Sequence, residues 1–195
     1  MEDVLVPGTR DVRASLDNPE SDTVVVACPP HPQMGGKRTD TRLQAVSDAL
    51  GESGTACLRF DYGEWDAGPG ELADARNALA WAREEYSTIG LFGFSFGGCL
   101  ALCAAAAEPD LAAVSALAPA ARISAAVDAV EALPDIACPV HVLYGERDST
   151  ADWEPVVERA RELGFAVEGM GADHFFVGQA PKVAARVAGF LTDHL

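Results

Sequence analysis

The chain has 195 residues and is 49% hydrophobic, far from the low-hydrophobicity, high-charge regime of disorder, and its length suits one compact domain with a core of its own. Its 14 Lys and Arg against 30 Asp and Glu give a net charge of −16, spread along the chain without a basic run. Neither a phosphate backbone nor an anionic membrane surface would attract such a molecule, so nucleic-acid and membrane partners are not expected.

Taken in chain order, apolar β-rich runs alternate with Ala-rich helical patterns. This predicts an α/β fold in one domain over 1–195, with a mostly parallel central sheet of about seven or eight strands and helices on both faces. The first residues carry Glu2 and Asp3 and no apolar run, which argues against a signal peptide, and no stretch is apolar for long enough to span a bilayer; a cytoplasmic location is expected. Residues 4–6 and 10–16, separated by Pro7 and Gly8, read as an antiparallel hairpin. Residues 23–28 form a buried strand stopped by Pro29 and Pro30, and a helix over 41–50 is closed by Gly51. Strand 55–60, helix 71–86, strand 88–94 and helix 96–107 follow. Strands 111–117 and 140–144 flank an Ala-rich helical stretch near 124–132. Helix 153–163, strand 165–170 and a closing helix over 181–194, with Pro181 in its first turn, complete the pattern. The five cysteines (Cys28, Cys57, Cys99, Cys103, Cys138) are odd in number and lack metal-type spacing, so they read as small buried hydrophobes.

Gly93, Phe94, Ser95, Phe96 and Gly97 fit Gly-x-Ser-x-Gly, with Gly98 next. The apolar run before the motif and the helix-forming run after it supply the strand, sharp turn and helix of a nucleophile elbow. Glycines flank the serine because strand and helix must approach closely there. A serine hydroxyl becomes nucleophilic only when a base takes its proton, and the base needs a third group to orient it. For an elbow serine the chain order is Ser, then an acid, then His. Downstream lie His141, inside a strand, His194, the penultimate residue, and His174, in a loop between the last strand and the last helix; His174 is therefore the base. The acid follows strand 140–144, where Asp148 is the natural choice, with Glu146 and Asp152 as neighbouring competitors. An oxyanion hole needs the N–H of the residue after the nucleophile, Phe96, and a second donor from the loop after an earlier strand. In the loop after strand 23–28, Pro29, Pro30 and Pro32 have no N–H to give, which leaves His31, Gln33 or Met34, with His31 favoured.

These residues together resemble the α/β-hydrolase superfamily, and within it the small, lidless, dienelactone-hydrolase-like branch. The loop from Cys28 to Gly36, the run Arg59, Phe60, Asp61, Tyr62, Gly63 and the Gly-Phe-Ser-Phe-Gly-Gly of Gly93 to Gly98 carry the likeness, which extends from about residue 23 to the end. Two positions depart from it: Ser95 stands where dienelactone hydrolases have Cys, and Pro29 stands where relatives often begin with His. The resemblance implies hydrolysis of an ester or related acyl bond through an acyl-enzyme on Ser95. Acyl transfer on the same triad and a non-catalytic binding module are the alternative readings. The stretch 119–138 is too short for a lid domain, so an open cleft lined by Trp65, Phe94, Phe96 and Phe175 is expected, suited to small acyl groups with water as the second reactant. No dinucleotide-type glycine pattern or ligand cluster is present in the sequence, and no cofactor or metal is expected. Either a monomer or a homodimer fits an acidic surface. Finally, Lys37 and Lys182 are the only lysines, and in this scarcity beside many carboxylates the composition resembles that of proteins from halophilic microbes.

Overall fold

In the computed structural model, which describes residues 1–195, the β-rich runs become ten strands. They are β1 (Glu2–Val6), β2 (Val12–Asp17), β3 (Thr23–Cys28), β4 (Ala56–Phe60), β5 (Thr88–Phe94), β6 (Ala113–Leu117), β7 (Arg122–Ser124), β8 (Val127–Asp128), β9 (Val140–Gly145) and β10 (Ala166–Met170). Eight of them form one sheet in the order β1-β2-β4-β3-β5-β6-β9-β10. The six from β4 to β10 run parallel, and β1 and β2 attach as an antiparallel hairpin, with Ala14 opposite Phe60 at the junction. A parallel sheet needs cover on both faces, which is why β3, β4 and β6 are apolar almost throughout and buried.

The cover comes from six helices: α1 (Thr41–Glu52), α2 (Pro69–Glu85), α3 (Phe96–Ala105), α4 (Ala129–Ala132), α5 (Glu154–Glu162) and α6 (Ala180–Thr192). Leu43, Val46 and Leu50 of α1 join Val183, Val187 and Leu191 of α6 in the core on one face. Leu72, Ala75 and Leu79 of α2, all of α3, and Val156, Val157 and Ala160 of α5 form the core on the other. α3 is apolar on every side because it is buried on every side, between the sheet, α2 and α4. No helix is long and apolar enough to cross a membrane.

Most element ends fall within two residues of the sequence reading, but one segment differs in kind. The Ala-rich stretch near 124–132 is not a helix through most of its length. It is the two-stranded hairpin β7–β8 followed by the single turn α4. The side chain of Asp128 accepts hydrogen bonds from the N–H groups of Val130 and Glu131, which starts the helix only at Ala129, and it pairs with Arg122 across the hairpin. Burial of Val127 on the core outweighs the helix propensity of Ala125 and Ala126. Helix α1 likewise continues through Gly51 to Glu52 before Ser53 closes it.

The strand order brings the loops after β3, β4, β5, β9 and β10 to one edge of the sheet, its carboxyl edge. In open α/β sheets this is where ligands bind.

Candidate active site

Ser95 has φ 58° and ψ −116°, a conformation that a side chain adopts only under strain, at the turn from β5 into α3. The turn is this tight because two glycines permit it. A Cβ at Gly93 would lie 2.1 Å from the carbonyl oxygen of Gly97, and one at Gly97 would lie 2.3 Å from that of Cys28. The Ser95 N–H donates to Leu117 O at 2.8 Å, which ties the elbow to the end of β6. Non-glycine residues with positive φ recur around this edge at Ala67, Ala118 and Phe176.

His174 follows β10 and approaches Ser95 from the side of α6. Its Nε2 is 2.9 Å from Ser95 Oγ and its Nδ1 is 2.6 Å from Asp148 Oδ2. The His174 and Asp148 side chains are 5% and 0% exposed, so the pair is withdrawn from solvent. The imidazole rests on Phe94 at 5.3 Å between centroids, and Phe94 is itself covered by the Arg42 guanidinium at 4.5 Å. With Nδ1–H donating to the carboxylate, the Nε2 lone pair is left to accept the serine proton.

The other carboxylate oxygen of Asp148 is held by the loop after β9. Oδ1 accepts from Thr150 N at 2.8 Å and Ala151 N at 3.1 Å, and the indole Nε1–H of Trp153 donates to the Asp148 carbonyl at 3.1 Å. Of the two competing acids, Glu146 is exposed and contributes its backbone N–H to Met170 O, while Asp152 is exposed at the cleft without a bond to His174. His141 is buried, bonded to Ser115 Oγ at 3.0 Å and stacked on Phe190, and His194 is exposed at the end of the chain; neither reaches this edge.

Phe96 opens α3, and its N–H is one of the first-turn groups that a helix leaves unpaired. Across from it runs the loop after β3, which forms one short turn over Pro32–Met34. Of the three possible second donors, His31, Gln33 and Met34, the structure sets one apart: Met34 N–H donates to His31 O at 3.0 Å and is spent, whereas the N–H groups of His31 and Gln33 both lack a partner within the protein. The Met34 and Gln33 side chains are exposed. The His31 ring stacks on Trp65 at 4.7 Å and leans on Phe96 at 4.9 Å, and burial lowers its pKa against a smaller opposing pull from Glu71.

The loop after β3 is braced from β4, a role that its residue types did not announce. Arg59 is buried and donates to Asp17 Oδ2 from Nε at 3.0 Å and from Nη2 at 2.7 Å, and to the Arg38 carbonyl at 2.5 Å. Asp61 accepts the Arg38 N–H at 2.7 Å and pairs with its guanidinium, and Tyr62 Oη donates to Pro29 O at 3.0 Å.

These elements enclose a cleft of about 700 Å³, within the range of small-molecule sites. Ser95 and His174 open onto it, and His31, Trp65, Phe94, Phe96, Ile123 and Phe175 give it an aromatic and apolar wall. Ile123 comes from β7 of the β7–β8 hairpin, a segment that the sequence does not mark as part of the cleft. Asp61, Glu64 and Asp66 do not line the cleft. No group of three or more His, Cys, Asp or Glu side chains is arranged to hold a metal ion.

Residues 59–175 match the model of the dienelactone hydrolase family. Among solved structures the chain is similar to an alpha-beta serine hydrolase homologue from Coxiella burnetii, at 25% identity and a TM-score of 0.85 over 97% of each chain. It is also similar in fold to a serine hydrolase without lid from Xanthomonas campestris, at 24% identity and a TM-score of 0.77 over 99% of this chain and 92% of that one. An esterase from Pyrococcus furiosus gives a TM-score of 0.84 at 17% identity, over 99% of this chain and 92% of the other.

Proposed function

The chain belongs to the dienelactone hydrolase family, and from that premise we propose that it is a serine hydrolase cleaving small carboxylic esters through an acyl-enzyme on Ser95. The observation that carries this reading is one imidazole bonded at both nitrogens, to Ser95 Oγ at 2.9 Å and to Asp148 Oδ2 at 2.6 Å. In the first half-reaction the Ser95 hydroxyl passes its proton to His174 Nε2 as Oγ bonds to the ester carbonyl carbon. The oxyanion that forms is met by the N–H groups of Phe96 and His31, and the carboxylate of Asp148 stabilises the imidazolium. His174 then returns the proton to the departing alkoxide, which leaves as an alcohol. In the second half-reaction His174 takes a proton from water as the water oxygen bonds to the acyl carbon, and the bond to Oγ then breaks as His174 returns that proton to Ser95, releasing the carboxylic acid.

Trp65, Phe94 and Phe175 are the side chains we assign to substrate contact, since each lines the cleft beside the serine. The chemistry needs water as second reactant and no cofactor, and the whole chain acts as one catalytic domain. Labelling with a fluorophosphonate tests the activated serine directly. The expected result is one adduct per chain, mapped to Ser95 and absent in Ser95→Ala; a chain that stays unlabelled under conditions where it is folded would overturn the reading.

A further inference from the structure

Glu71 and Asp74, in the first two turns of α2, are both fully buried carboxylates. One cation faces them: Arg10, from the turn between β1 and β2, donates its Nε to Asp74 Oδ1 at 3.1 Å, pairs a second nitrogen with Asp74 Oδ2, and lies 3.8 Å from Glu71. The remaining acceptor capacity goes to the loop after β4. Glu71 accepts from Asp66 N at 2.8 Å and Gly68 N at 2.7 Å, Asp74 Oδ2 accepts from Gly63 N at 2.9 Å, and Arg10 donates to the Glu64 carbonyl. Four backbone groups between residues 63 and 68 are thus fixed by three charged side chains that have no contact with the cleft.

Burying two carboxylates against one guanidinium is a poor way to stabilise a fold, because desolvation offsets most of the attraction. What this arrangement does set is the path of the loop, and the loop carries Trp65 to the cleft wall. Trp65 in turn holds His31. The His31 Nδ1 is buried without a hydrogen-bond partner, so no polar contact at that atom orients the ring. Its neighbours are Trp65 at 4.7 Å and Phe96 at 4.9 Å, and Trp65 and Phe96 lie 5.7 Å apart, a triangle of rings drawn from two loops of the carboxyl edge and the first residue of α3.

We infer that Arg10, Glu71 and Asp74 are positioning residues for catalysis: by fixing Trp65 they fix His31 and, with it, the second backbone donor to the oxyanion. The inference rests on the hydrolase reading above for its consequence in rate, but its structural half stands on the loop alone. A misplaced oxyanion donor weakens binding of the transition state more than binding of the ester, so kcat carries the effect.

Arg10→Met keeps the aliphatic stem of a side chain that is about a quarter exposed and removes the fork. Measured well below its melting temperature on a short p-nitrophenyl ester, this variant should lose about tenfold or more in kcat with KM changed by less than about threefold. Glu71→Gln, which turns one acceptor into a donor facing an N–H, should do the same. Trp65 emission, isolated as the difference from a Trp65→Phe variant in each background, should shift in both. Folded variants that keep kcat within twofold of the parent, or that leave Trp65 emission unchanged, would overturn the inference. A parent protein that hydrolyses no ester would instead remove the hydrolase reading, and the emission measurement would still decide whether the clamp holds Trp65.

Discussion

Trp153 donates its indole N–H to the carbonyl oxygen of Asp148 at 3.1 Å, reaching back from the start of α5 to the loop that presents the carboxylate. The ring is stacked on Tyr144 at 4.4 Å, so the donor is itself held in place. Trp153→Phe keeps the stack and loses the bond. Stability should fall by about 1 kcal/mol, and kcat should fall several-fold as Asp148 gains freedom relative to His174. Denaturant midpoints and ester kinetics on the same preparation separate the two effects.

Asp148→Asn tests the role of the charge against the role of the shape. The carboxamide oxygen can still accept from Thr150 and Ala151, so the loop should stay folded. The amide nitrogen, however, presents a donor to His174 and reverses its tautomer. A loss of about 10³- to 10⁴-fold in kcat is expected with little change in melting temperature.

His141 makes stability depend on pH from a place remote from the cleft. Burial lowers its pKa, Glu168 at 3.6 Å raises it by a smaller amount, and Arg186, which pairs with Glu168 at 3.3 Å, lowers it further. Because the folded value lies below the unfolded one of about 6.5, the unfolded chain binds more protons between the two values. This contribution is therefore fully present above about pH 6.5 and is lost as the pH falls through that window. Urea midpoints should rise from pH 5 to pH 7.5, and a His141→Gln variant should show a shallower rise.

The net charge of −16 should make the fold respond to salt. Exposed carboxylates repel one another in the compact state, and raising ionic strength from about 0.05 M to 1 M shortens the screening length from well over 10 Å to about 3 Å. The melting temperature should climb with added KCl. A melting temperature independent of salt would contradict this.

Much of the frame is legible in the sequence because the signals are local. The run Thr23–Cys28 is apolar and β-branched and ends in prolines, and Gly93 to Gly97 sit between an apolar run and a helix-forming one; each pattern can be read within a dozen residues. His174 stands out because the other downstream histidines occupy a strand interior and the chain end. Less legible is anything that depends on contacts across the fold. Arg10 meets Asp74 across 64 positions, and Trp153 acts on Asp148 through one ring nitrogen that any surface tryptophan also carries. The hairpin at 122–128 escapes a local reading for the opposite reason. Its alanines favour a helix, and only the burial of Val127 and the capping by Asp128 decide against one. The size of the cleft was also out of reach, since Ile123 lines it from that same hairpin.

The most direct test of the account is hydrolysis of a chain-length series of p-nitrophenyl esters in high salt, comparing the parent protein with Ser95→Ala. Turnover should be highest for short acyl chains and should fall by several orders of magnitude when the Ser95 hydroxyl is removed. Ester hydrolysis that persists in Ser95→Ala, or a folded parent protein that turns over none of the series, would contradict it.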